Sequence, residues 1–366
     1  MPEAGRAEHD LLRRSVRDFV TATSAEPELR RLMQTPHGFD PAAWSIMAGQ
    51  LGLPGMAIPE QYGGAGFGWA ELAVVFEEFG RALLCAPFFA TVALAAPTLL
   101  GSADEDAKHR YLPAIADGQL VATVALPASA ADEVTACRTP GGYWLHGRRS
   151  HVLDGCLADL LLVPALGPAG PSLFAVEANS PGLAGTALPT LDQTRKQAEI
   201  VFDGCPARPL GPGGGAAAIL AHVECLAAVA LACEQVGGAQ QCLDSAVDYA
   251  RDRMQFGRPI GSFQAVRHRC ADMLLDVESA RSLAGHAVEL APGGQELAAA
   301  AHMAKAYCSE AFVRVASANI QVHGGIGITW DHSAHLYLKR AKSGQLMFGS
   351  PQQHRAALAS LVRGAA

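Results

Sequence analysis

The chain is poor in charge, poorer still in aromatics, and has no long apolar run. Of its 366 residues 17% are charged and 6% aromatic, while half are hydrophobic. The net charge is −7 and the pI near 6.0. That acidic balance offers no footprint for a phosphate backbone, which argues against nucleic acid as the main partner. No window reaches about 18 uninterrupted apolar residues, so no membrane span is expected. The opening MPEAGRAEHDLLRRSV has charges with no apolar run behind them, so no secretory signal is expected and a cytoplasmic location follows. The nine cysteines are scattered and include no CxxC pair, which points to reduced thiols buried as small hydrophobes. His332 and His335 stand at i, i+3, but no carboxylate or Cys set completes a metal site, so none is expected. There is no internal repeat.

What is present divides into three stretches. Residues 1–119 read as a helical domain, with apolar positions at helical spacing in Leu11, Leu12, Val16 and Phe19, and again in Leu72, Val75, Phe76 and Phe79. The Pro- and Gly-rich IPEQYGGAGFG (58–68) marks a loop between them. Residues 120–211 form a β domain: short runs such as LVATVAL, YWLHG, DLLLVPAL, SLFAVEA and AEIVFDG alternate with Pro/Gly turns, as in a small sandwich or barrel. Residues 216–366 return to helix, with a long run over 216–253 broken only by Gly237-Gly238 and further helices near 263–290, 296–320 and 333–347. The expected fold is α+β and multi-domain: helical, then β, then a C-terminal helical bundle.

Two segments carry most of the chemistry. In YARDRMQFGRPIGSFQAVRHRCADM (249–273), Arg253 can make charge-assisted bonds to a pyrophosphate and Gln264 offers an amide donor and acceptor. In IQVHGGIGITWDHSAHLYLKRAK (320–342), Gly324 and Gly325 let backbone N–H groups approach phosphate or adenine, with Gln321 one turn before them. Asp331 is a capping candidate for the helix that follows.

These segments, with LGLPGMAIPEQYGGAG (51–66), lie in order over about residues 8–355 and resemble the acyl-CoA dehydrogenase family. The resemblance implies a flavoprotein with a C-terminal four-helix bundle that oxidises acyl-CoA thioesters between Cα and Cβ. It implies FAD held across a subunit interface, with Arg253, Gln264, Gln321, Gly324 and Gly325 on the adenine–pyrophosphate half and Phe256 beside the flavin. It further implies an oligomer, homomeric or mixed with a related subunit, and an electron-transfer acceptor protein.

Against the family pattern, several positions change chemistry. The Thr-Glu-Pro stretch reads ALPASAADE (125–133), with Leu126 or Ala125 at the Thr position. The Lys-x-Trp-Ile-Thr run reads Arg149-Ser150-His151-Val152-Leu153, so His151 replaces the shielding aromatic and Leu153 the hydroxyl at the flavin N5 edge. The two places where the family carries its catalytic Glu hold Phe348 and Ala227. Glu234, about two turns beyond Ala227, is the remaining candidate base, or else a polar anchor at the Gly237-Gly238 bend. Glu224, a turn before Ala227, reads as a solvated position. Asp192, Thr194 and Arg195 either face CoA phosphates or lock a local turn. Three readings stay open: a self-sufficient dehydrogenase, a complementing subunit of a mixed enzyme, and the fold recruited for non-redox acyl-CoA or carrier-bound chemistry or binding.

Overall fold

The structure, a computed structural model, describes residues 3–128, 132–294 and 296–364. Its elements are α1 (Glu3–Thr23), α2 (Glu26–Gln34), α3 (Pro41–Gly49), α4 (Trp69–Arg81), α5 (Ala96–Gly101) and α6 (Glu105–Ala116). Then come β1 (Ala122–Val124), β2 (Val134–Thr139), β3 (Gly142–Leu153), β4 (Leu160–Gly167), β5 (Gly170–Glu177), β6 (Leu183–Ala187) and β7 (Gln197–Pro209). The rest is α7 (Ala216–Asp252), β8 (Met254–Gln255), β9 (Arg258–Pro259), α8 (Gln264–Leu290), α9 (Leu297–His323), α10 (Ala334–Leu346) and α11 (Pro351–Gly364). Contacts gather these into two units: Met1–Leu29 with Trp69–Leu84 and Ala227–Ala366, and Arg30–Gly68 with Cys85–Leu226.

In the second unit the strands close on themselves. β4 pairs with β2 and β5, β2 with β3, β3 with β7, and β7 with β5. Five strands thus form a small barrel, to which β1 adds along β4 and β6 along β7. Alternate residues fill it, as the two-residue period of a strand requires: Leu161, Val163 and Ala165 from β4, and Ala198, Ile200 and Phe202 from β7. The buried Arg149 guanidinium ties the loop before β2 to the barrel, donating to the carbonyls of Ala125, Asp132 and Pro164. Residues 129–131 of the ALPASAADE stretch lie outside the described residues.

The first unit is a bundle of α7, α8, α9 and α10, with α11 against α9 and α1 against α4. On α1 the spacing of Val16, Phe19 and Val20 buries one face, but Leu11 is exposed. Glu78, buried on α4, is held by Arg13 and Arg17, each at 2.8 Å. Gly237 and Gly238 do not bend α7, which runs through them unbroken. They let other elements in: a Cβ on Gly237 would collide with the Glu77 carbonyl of α4, and one on Gly238 with the Phe312 ring of α9. Gly80 of α4 answers from the other side, where a Cβ would strike the Glu234 carbonyl. By length and composition α7 could cross a membrane, yet over half of its most apolar stretch is buried inside the protein, as in a core helix. All nine cysteines are free. Five are buried, but Cys137 and Cys156 are exposed, against the expectation of uniform burial.

Candidate cofactor site and the position of the base

The C-terminal end of α7 leads directly into a short ribbon. Arg253 N bonds the Tyr249 carbonyl at 2.9 Å, and Ile260 N bonds the Arg253 carbonyl at 2.8 Å. Between β8 and β9, Phe256 and Gly257 both have positive φ, 53° and 76°, as the tightest hairpins demand. Phenylalanine in that conformation is strained by roughly 1–2 kcal/mol. The strain displays its ring almost wholly to solvent, 91% exposed, with the Phe263 ring edge-on at 6.0 Å. Arg258 lies over Phe263 at 4.2 Å. Gln264, the first residue of α8, faces outward, as does Arg253.

The second segment meets the first through three rings. His323, the last residue of α9, stacks on Tyr249 at 4.3 Å and meets the His332 ring, tilted by 47°, at 4.3 Å. Its Nδ1 lies 2.9 Å from the Asn319 carbonyl, which can only accept, so Nδ1 carries the proton. The chain then turns at Gly324, with φ 67° and ψ −143°, a conformation open to glycine alone. A Cβ on Gly324 or Gly325 would meet no protein atom, so both backbones face open space, and Gln321 is exposed beside them. The stack therefore brings the stem of Arg253 and the Gly324-Gly325 turn together within one unit. These exposed donors fit the adenine–pyrophosphate half of a dinucleotide. Tyr249, His323 and His332 support them, which the spacing alone did not reveal. The expected cap Asp331 is not used: His332 Nδ1 accepts the Ala334 N–H at 3.1 Å instead. His335 packs edge-on to Trp330 at 4.7 Å.

The flavin-side positions look different. Ala125 and Leu153 are buried in the β unit, and the hydroxyl of Thr123 is spent on the Leu153 carbonyl at 2.7 Å. His151 sits at a break in the β3–β7 register with φ 57°, its Nδ1 3.0 Å from Ser150 Oγ. Leu126, the other candidate at the Thr position, is half-buried, and the Ser150 hydroxyl is engaged by Asp132 at 3.2 Å, so neither Thr position offers a flavin edge a hydroxyl and this half of the cofactor does not fit here. Asp192 is buried and accepts from Thr194 N at 3.1 Å and from the Thr194 hydroxyl. Arg195, nearly buried, covers the Phe89 ring at 5.1 Å. The cluster thus locks a turn.

Neither place for the base holds an acid. Ala227 is buried on α7, and Phe348 stands at φ 55° in the turn between α10 and α11. Glu234 is buried, 5% exposed, and its Oε1 accepts from Arg340 Nη1 at 2.8 Å; Arg340 Nη2 reaches the Leu84 carbonyl at 3.4 Å. An apolar helix keeps such a carboxylate only with a cation beside it. Glu224 lies on the outer face of α7, where partial burial pushes its carboxyl up.

Models of two domains match the chain: the acyl-CoA dehydrogenase N-terminal domain over residues 6–119 and the C-terminal domain over 222–362. The chain belongs to the acyl-CoA dehydrogenase family. Its fold is that of the family, its cofactor is FAD, and the family reaction is the α,β-dehydrogenation of acyl-CoA thioesters. Acyl-CoA dehydrogenase IpdE2 of Mycolicibacterium smegmatis is 32% identical over 349 residues, which cover 94% of this chain and 96% of that protein. Among solved structures, the ChsE4-ChsE5 complex from Mycobacterium tuberculosis superposes with a TM-score of 0.90 at 30% identity, covering 99% and 98% of the two chains. The Tcur3481-Tcur3483 steroid ACAD gives 0.89 at 33% identity, covering 98% of each.

Proposed function

We infer that this chain is the complementing half of a two-component acyl-CoA dehydrogenase. It lends its adenine-side clamp to an FAD whose flavin lies on a related partner subunit, and the partner supplies the base. One observation carries the reading. Arg253, Phe256, Gln264, Gln321, Gly324 and Gly325 all face outward, while the flavin-side positions hold buried Ala125 and Leu153 and the base positions hold Phe348 and Ala227. A subunit that only completes a partner's site needs the first set and not the second.

FAD, when bound, accepts hydride from the thioester β-carbon. Within that assembly Arg253 neutralises pyrophosphate charge, the Gly324-Gly325 turn offers N–H groups without a Cβ in the way, and Phe256 covers the cofactor from solvent. Among the described residues neither base position holds an acid that could take the α-proton, and Glu234 is engaged by Arg340. The two-component relative from Mycobacterium tuberculosis supports unlike subunits, and the steroid ACAD relative supports a bulky acyl group. Electrons then leave to an electron-transfer acceptor protein. Free thiols throughout favour a reducing, cytoplasmic setting.

The test is the visible spectrum and solution mass of the chain alone and after mixing with a related acyl-CoA dehydrogenase subunit. We expect a colourless chain that acquires a flavin spectrum only in the mixed oligomer. A yellow homo-oligomer with one flavin per chain and its own turnover would overturn the reading.

A further inference from the structure

A lysine is fully buried on α9. Lys305 is 0% exposed, and among the described residues its hydrogen bonds go to a hydroxyl and two carbonyls rather than to a carboxylate. Its donors reach Ser309 Oγ at 2.9 Å, the Gln345 carbonyl at 3.3 Å and the Gly349 carbonyl at 3.2 Å. Gln345 belongs to the last turn of α10, where unpaired carbonyls and the negative end of the helix dipole favour a cation. Gly349 belongs to the turn between α10 and α11.

One residue earlier, His354 Nε2 lies 2.9 Å from the Phe348 carbonyl. A carbonyl only accepts, so Nε2 carries a proton, and in the neutral ring Nδ1 accepts. Its partner there is His302 Nδ1, at 2.8 Å, which must donate. Phe348 and Gly349 both have positive φ, 55° and 102°. Such a turn is unfavourable for phenylalanine and needs support from outside. It gets it from two helices, at three carbonyls.

We propose that Lys305 and His354 are positioning residues that clasp the α10–α11 turn and hold Phe348 in one pose, as an apolar wall toward the acyl group of the thioester. The clasp stands by itself. The wall rests on the function proposed above, since position 348 is where the family resemblance places a base.

The clasp responds to protons. Burial pushes the Lys305 ammonium down to about 7. As an ammonium it has three protons for three acceptors. As an amine it has two, and Ser309 must turn its hydroxyl from Gln235 Oε1, now 3.2 Å away, toward the nitrogen. The ionisable groups around it are His302 and Cys308 on α9 and His354 on α11. Acids of the packed helices are held elsewhere: Glu234 by Arg340, Glu310 by Arg355, and on α8 Asp276 by Arg314 and Glu278 by Arg281, while Asp272 and Glu289 of α8 are exposed. Both forms can keep the three contacts, but burial disfavours the ammonium and opening the turn to water restores it, so the closed turn is tighter above about pH 7 and looser below it.

The experiment places 4-fluorophenylalanine at position 348 of the full chain and reads its fluorine resonance at pH 6 and pH 8. Amide exchange of Met347 and Gly349 is followed in parallel, corrected for intrinsic rates; these N–H groups bond Ser343 and Leu346. We expect one sharp line at pH 8, with corrected exchange several-fold faster at pH 6. Lys305→Met should broaden the line, raise exchange about tenfold and abolish the pH step. His354→Gln, which keeps a donor, should resemble the parent, whereas His354→Leu should not. An unchanged line and unchanged exchange in Lys305→Met overturn the clasp. Should that variant not fold, a flat pH response in the parent overturns it equally. Octanoyl-CoA should shift the fluorine line and free CoA should not; no difference between the two overturns the wall and leaves the clasp standing.

Discussion

The two halves of the cofactor's expected surroundings are built on opposite rules. In the bundle unit, the segments 249–264 and 321–325 push polar groups and one strained aromatic outward, on rigid supports of stacked rings and helix ends. In the β unit, Ala125, Val152 and Leu153 turn inward, and the hydroxyls of Thr123 and Ser150 are spent on the Leu153 carbonyl and the Asp132 carboxylate. An unused surface drifts toward ordinary solvated residues. Phe256 at positive φ with 91% exposure is not ordinary, because it costs stability and gains little more within the chain than the edge of the Phe263 ring. On the function proposed above, the difference teaches that the chain keeps a surface for a partner's ligand while the corresponding wall of its own β unit is core.

The comparison breaks most directly at Glu234. As a partner of Arg340 it is structural, and Glu234→Ala should cost about 3–5 kcal/mol by leaving a buried cation uncompensated. Denaturant unfolding would measure this, and the double variant with Arg340→Met should recover most of the loss. Glu234→Gln should leave turnover of the mixed enzyme largely intact. Abolished turnover in a well-folded Glu234→Gln protein would make it the base and the chain self-sufficient.

The bundle's own turn gives the next largest effect, and its sign can be worked out. Burial, with the Lys305 and His302 charges, pushes His354 from 6.5 down to about 4. The unfolded chain then takes up its proton first as pH falls. Stability is full above about 6.5 and is lost between 6.5 and 4, by up to roughly 3 kcal/mol. Lys305, moved from 10.5 to about 7, adds stability as pH climbs from about 7 toward 10.5. Thermal unfolding across this range should show both limbs, and His354→Gln should flatten the acid one.

Arg253→Ala tests the outward surface. Losing a charge-assisted bond of about 1.5–3 kcal/mol should weaken FAD retention in the mixed oligomer by roughly 10- to 150-fold. Equal flavin occupancy in parent and variant would remove the clamp and, with it, one side of the comparison.

Much of this was legible before any coordinates. The long C-terminal helices lie within a few residues of where Pro-free runs and Gly/Pro punctuation place them. Five of the seven strands of the sheet, β1, β3, β4, β5 and β7, are visible as β-rich runs. β2 (VTACRT) and β6 (LAGTA) are not: one mixes polar residues along its length, and the other is short, exposed and carries a glycine. The Gly237-Gly238 pair was misread as a bend because sequence cannot tell a flexible glycine from one that another backbone presses against. Lys305 was overlooked for a similar reason. In AHMAKAYC it stands alone in an apolar stretch, a signal that something buried needs a cation, but its acceptors are backbone carbonyls about 40 residues away. Carbonyls leave no mark in a sequence.

The smallest effect is the sharpest on the comparison itself. Leu153→Thr puts a hydroxyl where the family bonds the flavin edge, at a buried position on β3. Inside the core that hydroxyl can back-bond a local carbonyl, so stability should fall by only about 1–2 kcal/mol. If the flavin lies on the partner, the spectrum of the mixed enzyme should not change, because no cofactor atom is near position 153. If it lies on this chain, a new donor at the N5 edge should shift the flavin bands and tighten binding. Band positions before and after the substitution therefore ask which subunit holds the ring. They do so without relying on turnover, which a silent subunit and a damaged one would report in the same way.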